Sequence, residues 1–274
     1  MLVDSHCHLN YEGLAHDVDG AIARAHAAGV RTLLAINTKI AEFEDVYAIA
    51  SAHDNVFCSV GVHPHEARNE PDVGAHALVE RAGRSKTIGI GESGLDYYYD
   101  KSPRDQQQAN FRAHIRAARE TGLPLIVHTR DAEDDTAAIM REEMAEGPYT
   151  GVIHCFTASE AFAEIALELG FYISLSGIVT FKSARDLQAT AKIIPADRLL
   201  VETDSPFLAP VPFRGKTCEP AFTRNTAEFV AELRGVAFEE LARVTTDNFF
   251  ALFRKASRPK AENDNPDTRQ LVGI

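Results

Sequence analysis

No pair of cysteines in this chain is spaced C-x-x-C, and the four present, Cys7, Cys58, Cys155 and Cys218, stand far apart. That excludes a zinc ribbon and offers no disulfide framework, so a reducing cytoplasm is the expected setting. No basic, apolar leader follows Met1, and no run approaches the roughly 20 apolar residues of a membrane span, so no membrane association is expected. Positive charge is in deficit, with 28 Lys and Arg against 40 Asp and Glu and a net charge of −12. The deficit argues against a broad basic footprint for duplex nucleic acid. It leaves nucleic acid open as a substrate, because bound dications reverse the sign of the field inside a small pocket. The G-x-x-x-x-G-K-[ST] and H-E-x-x-H patterns are missing too, which removes nucleoside-triphosphatase and zincin readings. Gly89-Ile90-Gly91-Glu92-Ser93-Gly94 has the spacing of a dinucleotide fingerprint without the helix start that it needs. It is expected instead as a tight strand-end loop, and the dehydrogenase reading falls with it.

What is present points to one architecture. Hydrophobic residues make up 45% of 274 and charged residues 25%, the balance of a chain that can build a sizeable core. Short apolar, β-branched runs occur at Leu2-Val3, Thr32 to Ile36, Val56 to Val62, Thr87 to Ile90, Leu125 to Val127, Gly151 to Ile153, Phe171 to Leu175 and Leu199 to Val201. Between them lie stretches of helical spacing, such as Phe111 to Arg119 and Phe162 to Leu169, with Gly29, Gly122 and Gly170 placed as helix C-caps. Alternating strands and helices imply a parallel sheet buried on both faces. Eight such units in about 250 residues predict a (β/α)8 TIM barrel, with an open doubly wound sheet as the rival. Residues 1–256 are expected to form this single domain. Ser257 to Ile274 is polar, aperiodic and holds Pro259 and Pro266, so a disordered tail is expected there. The acidic surface shows no self-association patch and no obligate protein partner, so a monomer is the default.

Histidines and acids collect where these runs end. Leu2-Val3 leads to Asp4-Ser5-His6-Cys7-His8, Val62 to His63, Gly91 to Glu92, Val127 to His128, Ile153 to His154 and Val201 to Glu202-Thr203-Asp204. In a barrel the strand C-termini share one mouth, so residues far apart in sequence converge there. Alternation along a strand would point Asp4, His6 and His8 inward and Cys7 outward. His128 and His154 end adjacent strands, Glu92 sits mid-arc with two carboxylate oxygens, and Asp204 closes the ring. Two imidazole pairs with a bridging acid supply ligands for two divalent ions. A hydrogen-bonded histidine pair is the commoner meaning of H-x-H alone; the full constellation argues against it.

The strings Asp4-Ser5-His6-Cys7-His8-Leu9, Gly61-Val62-His63-Pro64, Gly91-Glu92-Ser93-Gly94-Leu95-Asp96, His128-Thr129-Arg130, His154-Cys155-Phe156 and Glu202-Thr203-Asp204-Ser205-Pro206 resemble the TatD family of metal-dependent hydrolases. The resemblance runs to about Leu252, through Arg214-Gly215-Lys216 and Thr246-Asp247-Asn248. It implies an amidohydrolase-type TIM barrel and phosphodiester hydrolysis of DNA, notably single strands trimmed 3′ to 5′. It also implies that His6, His8 and Asp204 hold one ion, His128 and His154 the other, and Glu92 bridges them. Magnesium is used by relatives, while imidazole-rich shells suit zinc or manganese. The chain departs from the family pattern at Cys218, often asparagine, and at Ala158, often glycine; both positions bear on substrate loops rather than ligands.

In such a site Asp204 is the expected proton acceptor as well as ligand, Glu202 a hydrogen-bond partner behind the ligands, and His63 a contact to the phosphate or leaving group. Arg130, Arg214 and Lys216 are candidates for flanking phosphates, each also readable as a solvated surface charge. Tyr97, Phe156 and Phe207 are candidates to stack on a base, against the commoner fate of aromatics in a core, and Tyr97-Tyr98-Tyr99 is expected to mix the two roles. Two rivals stand beside the nuclease: an amide or ester hydrolase of the same barrel class, including deacylation of charged tRNA, and a non-catalytic binding scaffold.

Overall fold

Continuous apolar runs need cover on both faces, and the computed structural model, which describes residues 1–71 and 73–259, provides it with two separate layers. The strands are β1 (Leu2–Cys7), β2 (Val30–Ala35), β3 (Val56–Val60), β4 (Thr87–Asp96), β5 (Leu125–Arg130), β6 (Gly151–Ile153), β7 (Tyr172–Leu175) and β8 (Leu199–Val201). The helices are α1 (Val18–Ala27), α2 (Phe43–Ala52), α3 (Ala75–Ala82), α4 (Arg104–Thr121), α5 (Glu133–Glu146), α6 (Glu160–Glu168), α7 (Arg185–Ile193), α8 (Thr223–Arg234) and α9 (Phe238–Leu252). The strands pair in parallel in the order β1 to β8. A parallel bridge between Cys7 and Ser205 joins the two ends of the sheet. There the His8 N–H donates to the Ser205 carbonyl at 2.7 Å and the Asp204 N–H to the His6 carbonyl at 2.9 Å. The expected TIM barrel is the fold.

Alternation within each run sorts its residues. Leu34, Phe57, Ile88, Ile126, Val152 and Leu200 fill the barrel interior, while their neighbours Leu33, Cys58, Leu125, Val127, Ile153 and Val201 pack outward under the helices. Phe249, Leu252 and Phe253 of α9 and its end join the interior cluster, so α9 plugs one end and the other is left to polar groups. Burying such side chains contributes about 1.5–3 kcal/mol each.

Two expectations are corrected. Gly89 to Gly94 is not a loop: β4 continues through it to Asp96, pairing Gly94 with His128 and Asp96 with Arg130. Glycine permits this because Gly91 and Gly94 take φ of 133° and 147°, and a Cβ on Gly94 would collide with the His128 carbonyl. Nor does β1 alternate simply. A register irregularity between Asp4 and Cys7 interrupts its pairing with β2. The buried Asp4 carboxylate turns to the β8 side, accepting from the Thr203 N–H at 2.9 Å and its hydroxyl at 2.6 Å. No described helix is long and apolar enough to cross a membrane. Of the expected tail, 260–274 lies outside the described residues.

One buried histidine fixes the loop after β3. The His114 Nδ1–H on α4 donates to the Asn110 carbonyl at 2.8 Å, and its Nε2 accepts the Val62 N–H at 2.9 Å. Burial pushes its pKa down to about 4. The unfolded chain therefore takes this proton first. Stability falls as pH drops from about 6.5 to about 4 and levels off below that. In chelator-treated protein, urea unfolding should show His114→Gln losing about 2 kcal/mol less than wild type between pH 7 and pH 5, since each pKa unit carries about 1.4 kcal/mol. Equal losses would remove His114 as the cause.

Candidate metal centre

Glu92 sits near the middle of β4, with its N–H donating to the Asn37 carbonyl at 3.1 Å and only 2% of its surface exposed. Its two oxygens face different partners. Oε2 lies 3.3 Å from His6 Nε2 and 4.0 Å from His8 Nε2. Oε1 lies 2.8 Å from His154 Nε2, 3.1 Å from His128 Nδ1 and 3.3 Å from His63 Nε2. Asp204 closes the Oε2 side, with its Oδ1 3.2 Å from His8 Nε2 and 3.6 Å from His6 Nε2. Its φ of 60° is a left-handed conformation that aspartate tolerates better than most residues, and the β1–β8 hydrogen bond to His6 holds it there. The structure thus brings His6, His8, His63, Glu92, His128, His154 and Asp204 together.

Carboxylates behind the cluster fix which ring nitrogen faces it. Glu202 Oε1 lies 3.2 Å from His154 Nδ1 and accepts the Cys155 N–H at 2.8 Å. A proton on Nδ1 aims His154 Nε2 at Glu92. Asp96, fully buried, does the same for His128: its Oδ2 is 3.1 Å from His128 Nε2 and 2.9 Å from His65 Nε2. The role of Glu202 was expected from its position two residues before Asp204; those of Asp96 and His65 were not. The signal for Asp96 lay in its place four residues after Glu92, an even step that puts both on one strand face, but only if β4 continues past Gly91.

The remaining candidates divide. Arg130, the last residue of β5, and Arg214 and Lys216, on the loop after β8, are exposed and without contact to the cluster. Phe207 is half exposed with its ring 6.3 Å from that of His8. Tyr97 is half-buried and bonded to Asp135. Phe156 is corrected: it is buried in the outer core and has no open face for a base. Ala158 packs at the edge of that core, and Cys218 is buried.

Burial opposes charge throughout this cluster, and the pairings decide the outcome. Burial would raise the pKa of Glu92, but the surrounding imidazoles hold it well below the usual carboxylate value. Burial would neutralise His154, yet Glu92 and Glu202 hold it well above the usual histidine value. His6 is pushed down by burial first and by the charge on His154 second. His63 is lowered to about 4, chiefly by burial.

The donor set suits divalent metal. Groups of imidazole nitrogens and carboxylate oxygens lie within 4.8 Å of one another at His6, His8 and Glu92, at His63, Glu92 and His128, and at His6, His154 and Glu202. His6 Nε2 and Glu202 Oε2 are buried without a hydrogen-bond partner among the described residues. Orphans of this kind cost about 1–3 kcal/mol each, and a cation accepts a lone pair where no N–H is available.

Imidazoles and carboxylates gathered at the C-terminal end of a parallel eight-stranded barrel are the donor set of a metal-dependent hydrolase. The family model for TatD related DNase matches residues 3–254, and the chain belongs to the TatD family of metal-dependent hydrolases. It is 50% identical over 255 residues to the uncharacterized metal-dependent hydrolase YcfH of Escherichia coli (strain K12), across 92% of this chain and 95% of that relative. It is 35% identical over 250 residues to the 3′-5′ ssDNA/RNA exonuclease TatD of Cronobacter sakazakii, across 89% and 94% respectively. Among solved structures, the TatD homologue YjjV of Escherichia coli K12 superposes with a TM-score of 0.86 at 27% identity, covering 92% of this chain and 98% of its own.

The electrostatics yield a direct test. A raised histidine stabilises the fold below about pH 6.5, and that contribution is lost as pH climbs through the folded-state value. In chelator-treated protein, long-range ¹H–¹⁵N spectra should find His154 doubly protonated at pH 7, and Glu202→Gln should bring its titration down toward the ordinary 6.5. A wild-type His154 that is already neutral at pH 7 would contradict the assignment.

Proposed function

We propose that this protein is a two-metal phosphodiesterase that trims single-stranded DNA from its 3′ end. The observation that carries the reading is the division of Glu92, one oxygen toward His6 and His8 and the other toward His128 and His154. In this reading His6, His8 and Asp204 would hold one ion, His128 and His154 the other, and Glu92 would offer an oxygen to each. The name of the Cronobacter sakazakii relative supports a single strand as substrate. Magnesium, manganese or zinc fits the site, with the imidazole count favouring the last two. The four described cysteines are all free, which suits a reducing cytoplasm.

Bound dications supply Lewis acidity toward the phosphoryl oxygens and lower the pKa of water. The chain's own groups do the rest. Asp204, the most solvent-open carboxylate of the cluster with 15% of its side chain exposed, is the proton acceptor on the substrate side. Glu202 and Asp96 keep the imidazole protons on the outward nitrogens of His154 and His128, so that lone pairs face inward. His63, kept neutral by burial, hydrogen-bonds the departing oxygen.

With added metal the purified protein should shorten a 5′-labelled single strand in a 3′-to-5′ ladder. Glu92→Ala should slow this by about 10³-fold or more, equivalent to several kcal/mol of metal-ion stabilisation. Asp96→Asn should lower metal affinity by about 10–100-fold. If no oligonucleotide is shortened with any of the three ions while amide or ester substrates turn over, the nuclease reading fails.

A further inference from the structure

Three imidazoles surround Glu92 Oε1, those of His63, His128 and His154, and they do not present the same face. His154 and His128 turn an N–H outward, to Glu202 and Asp96, so that the other ring nitrogen faces the cluster. His63 does the reverse, for a local reason. It precedes the 3-10 turn Pro64–Glu66, whose first N–H groups have no partner within the turn. Serine or aspartate usually caps such a start; here the His63 ring does, with Nδ1 accepting the His65 N–H at 3.1 Å. An imidazole that accepts at Nδ1 carries its proton on Nε2. That nitrogen lies 3.3 Å from Glu92 Oε1. His63, although grouped with Glu92 and His128 among possible ligands, therefore offers the cluster a donor and no lone pair.

The residue capped in this way also uses its own ring. His65 Nε2 lies 2.9 Å from Asp96 Oδ2, the oxygen that faces His128 Nε2 at 3.1 Å. Asp96 Oδ1 accepts the Tyr99 N–H at 2.8 Å, so the carboxylate is gripped on both oxygens and cannot swing away from His128. Its backbone is held as firmly. Buried Gln107 accepts the Asp96 N–H at 2.8 Å and donates to the carbonyls of Asp96 at 3.3 Å and Ser102 at 2.8 Å. The Ser102 hydroxyl in turn donates to the His65 carbonyl at 2.9 Å and accepts the Arg68 N–H at 3.1 Å. His65 is locked between the loops after β3 and β4. With 19% of its side chain exposed, it has water within reach as a partner, yet its ring turns inward to a buried acid.

We infer that His65 is a positioning residue that sets the proton placement of two imidazoles at once: its main-chain N–H fixes the His63 proton on Nε2, aimed into the cluster, and its ring, acting through Asp96, fixes the His128 proton on Nε2, aimed away from it. His63 is then a hydrogen-bond donor and not a metal ligand, while His128 keeps Nδ1 for a cation. The consequence for catalysis rests on the nuclease reading above: one neutral donor stands ready for the departing oxygen beside rings that hold ions.

The test uses the full-length protein labelled with ¹⁵N histidine, both metal-free and loaded with zinc, which is diamagnetic. Long-range ¹H–¹⁵N spectra should show the His63 proton on Nε2 in both states, with neither of its nitrogens shifted by zinc, and the His128 proton on Nε2 in the loaded state. In competition titrations against a chelator, followed at the His128 signals, His65→Leu should lower zinc affinity about 10-fold, the lower end of what losing a ligand's partner costs. His65→Gln should keep wild-type affinity, because its amide N–H replaces the donor. Adding His65→Leu to Asp96→Asn should cost nothing further, because the ring acts through that carboxylate. A His63 proton on Nδ1, or zinc on the His63 ring, would overturn the main-chain part of the assignment; wild-type affinity in a folded His65→Leu, or an equal loss in His65→Gln, would overturn the part of the ring. Should His65→Leu not fold, the wild-type spectra still decide the first part, and His65→Asn, too short to reach Asp96, decides the second. The expected proton placement with no oligonucleotide cleaved would keep the positioning role and reject the nuclease; cleavage by a protein whose His63 binds zinc would do the reverse.

Discussion

A carboxylate buried among five imidazoles is the constraint around which this molecule is arranged. Removing an ionised acid from water costs several kcal/mol unless partners of opposite charge and directed hydrogen bonds replace the lost solvation. Glu92 has those partners on both oxygens, drawn from β1, β3, β5 and β6. No local segment can supply them. Only a barrel that brings four separate strand ends to one mouth makes the burial of Glu92 tolerable, so site and fold stand or fall together.

The same reasoning extends outward. An imidazole is useful to a neighbouring acid or cation only if the correct nitrogen faces it, and a carboxylate behind each ring settles which nitrogen that is. Glu202 does so for His154 and Asp96 for His128. The β1–β8 seam has its own device, the Asp4 carboxylate bound to Thr203, beside the paired backbone of His6 and Asp204.

Much of this was legible in the amino-acid order. The apolar runs gave the eight strands because burial on both faces demands continuous hydrophobicity, and the polar residues that follow them gave the cluster because strand ends share one mouth. Less legible were features that depend on contact between elements. The glycines of Gly89 to Gly94 read as a turn, yet the close approach of the His128 carbonyl requires them in a continuing strand. With the strand taken to end at Glu92, Asp96 had no place behind His128. The irregularity in β1 likewise removed Asp4 from the cluster that simple alternation assigned it to. Phe156 follows His154-Cys155 and read as a mouth residue, but the backbone turns at Cys155, where φ is 43°, and its ring enters the outer core.

The central claim is that Glu92 joins two ions. Anomalous diffraction from crystals grown with zinc or manganese tests it most directly. The account predicts two peaks about 3.5–4 Å apart, one on each side of the Glu92 carboxylate, the first beside His6, His8 and Asp204 and the second beside His128 and His154. A single peak, or a pair that leaves Glu92 untouched, would contradict it.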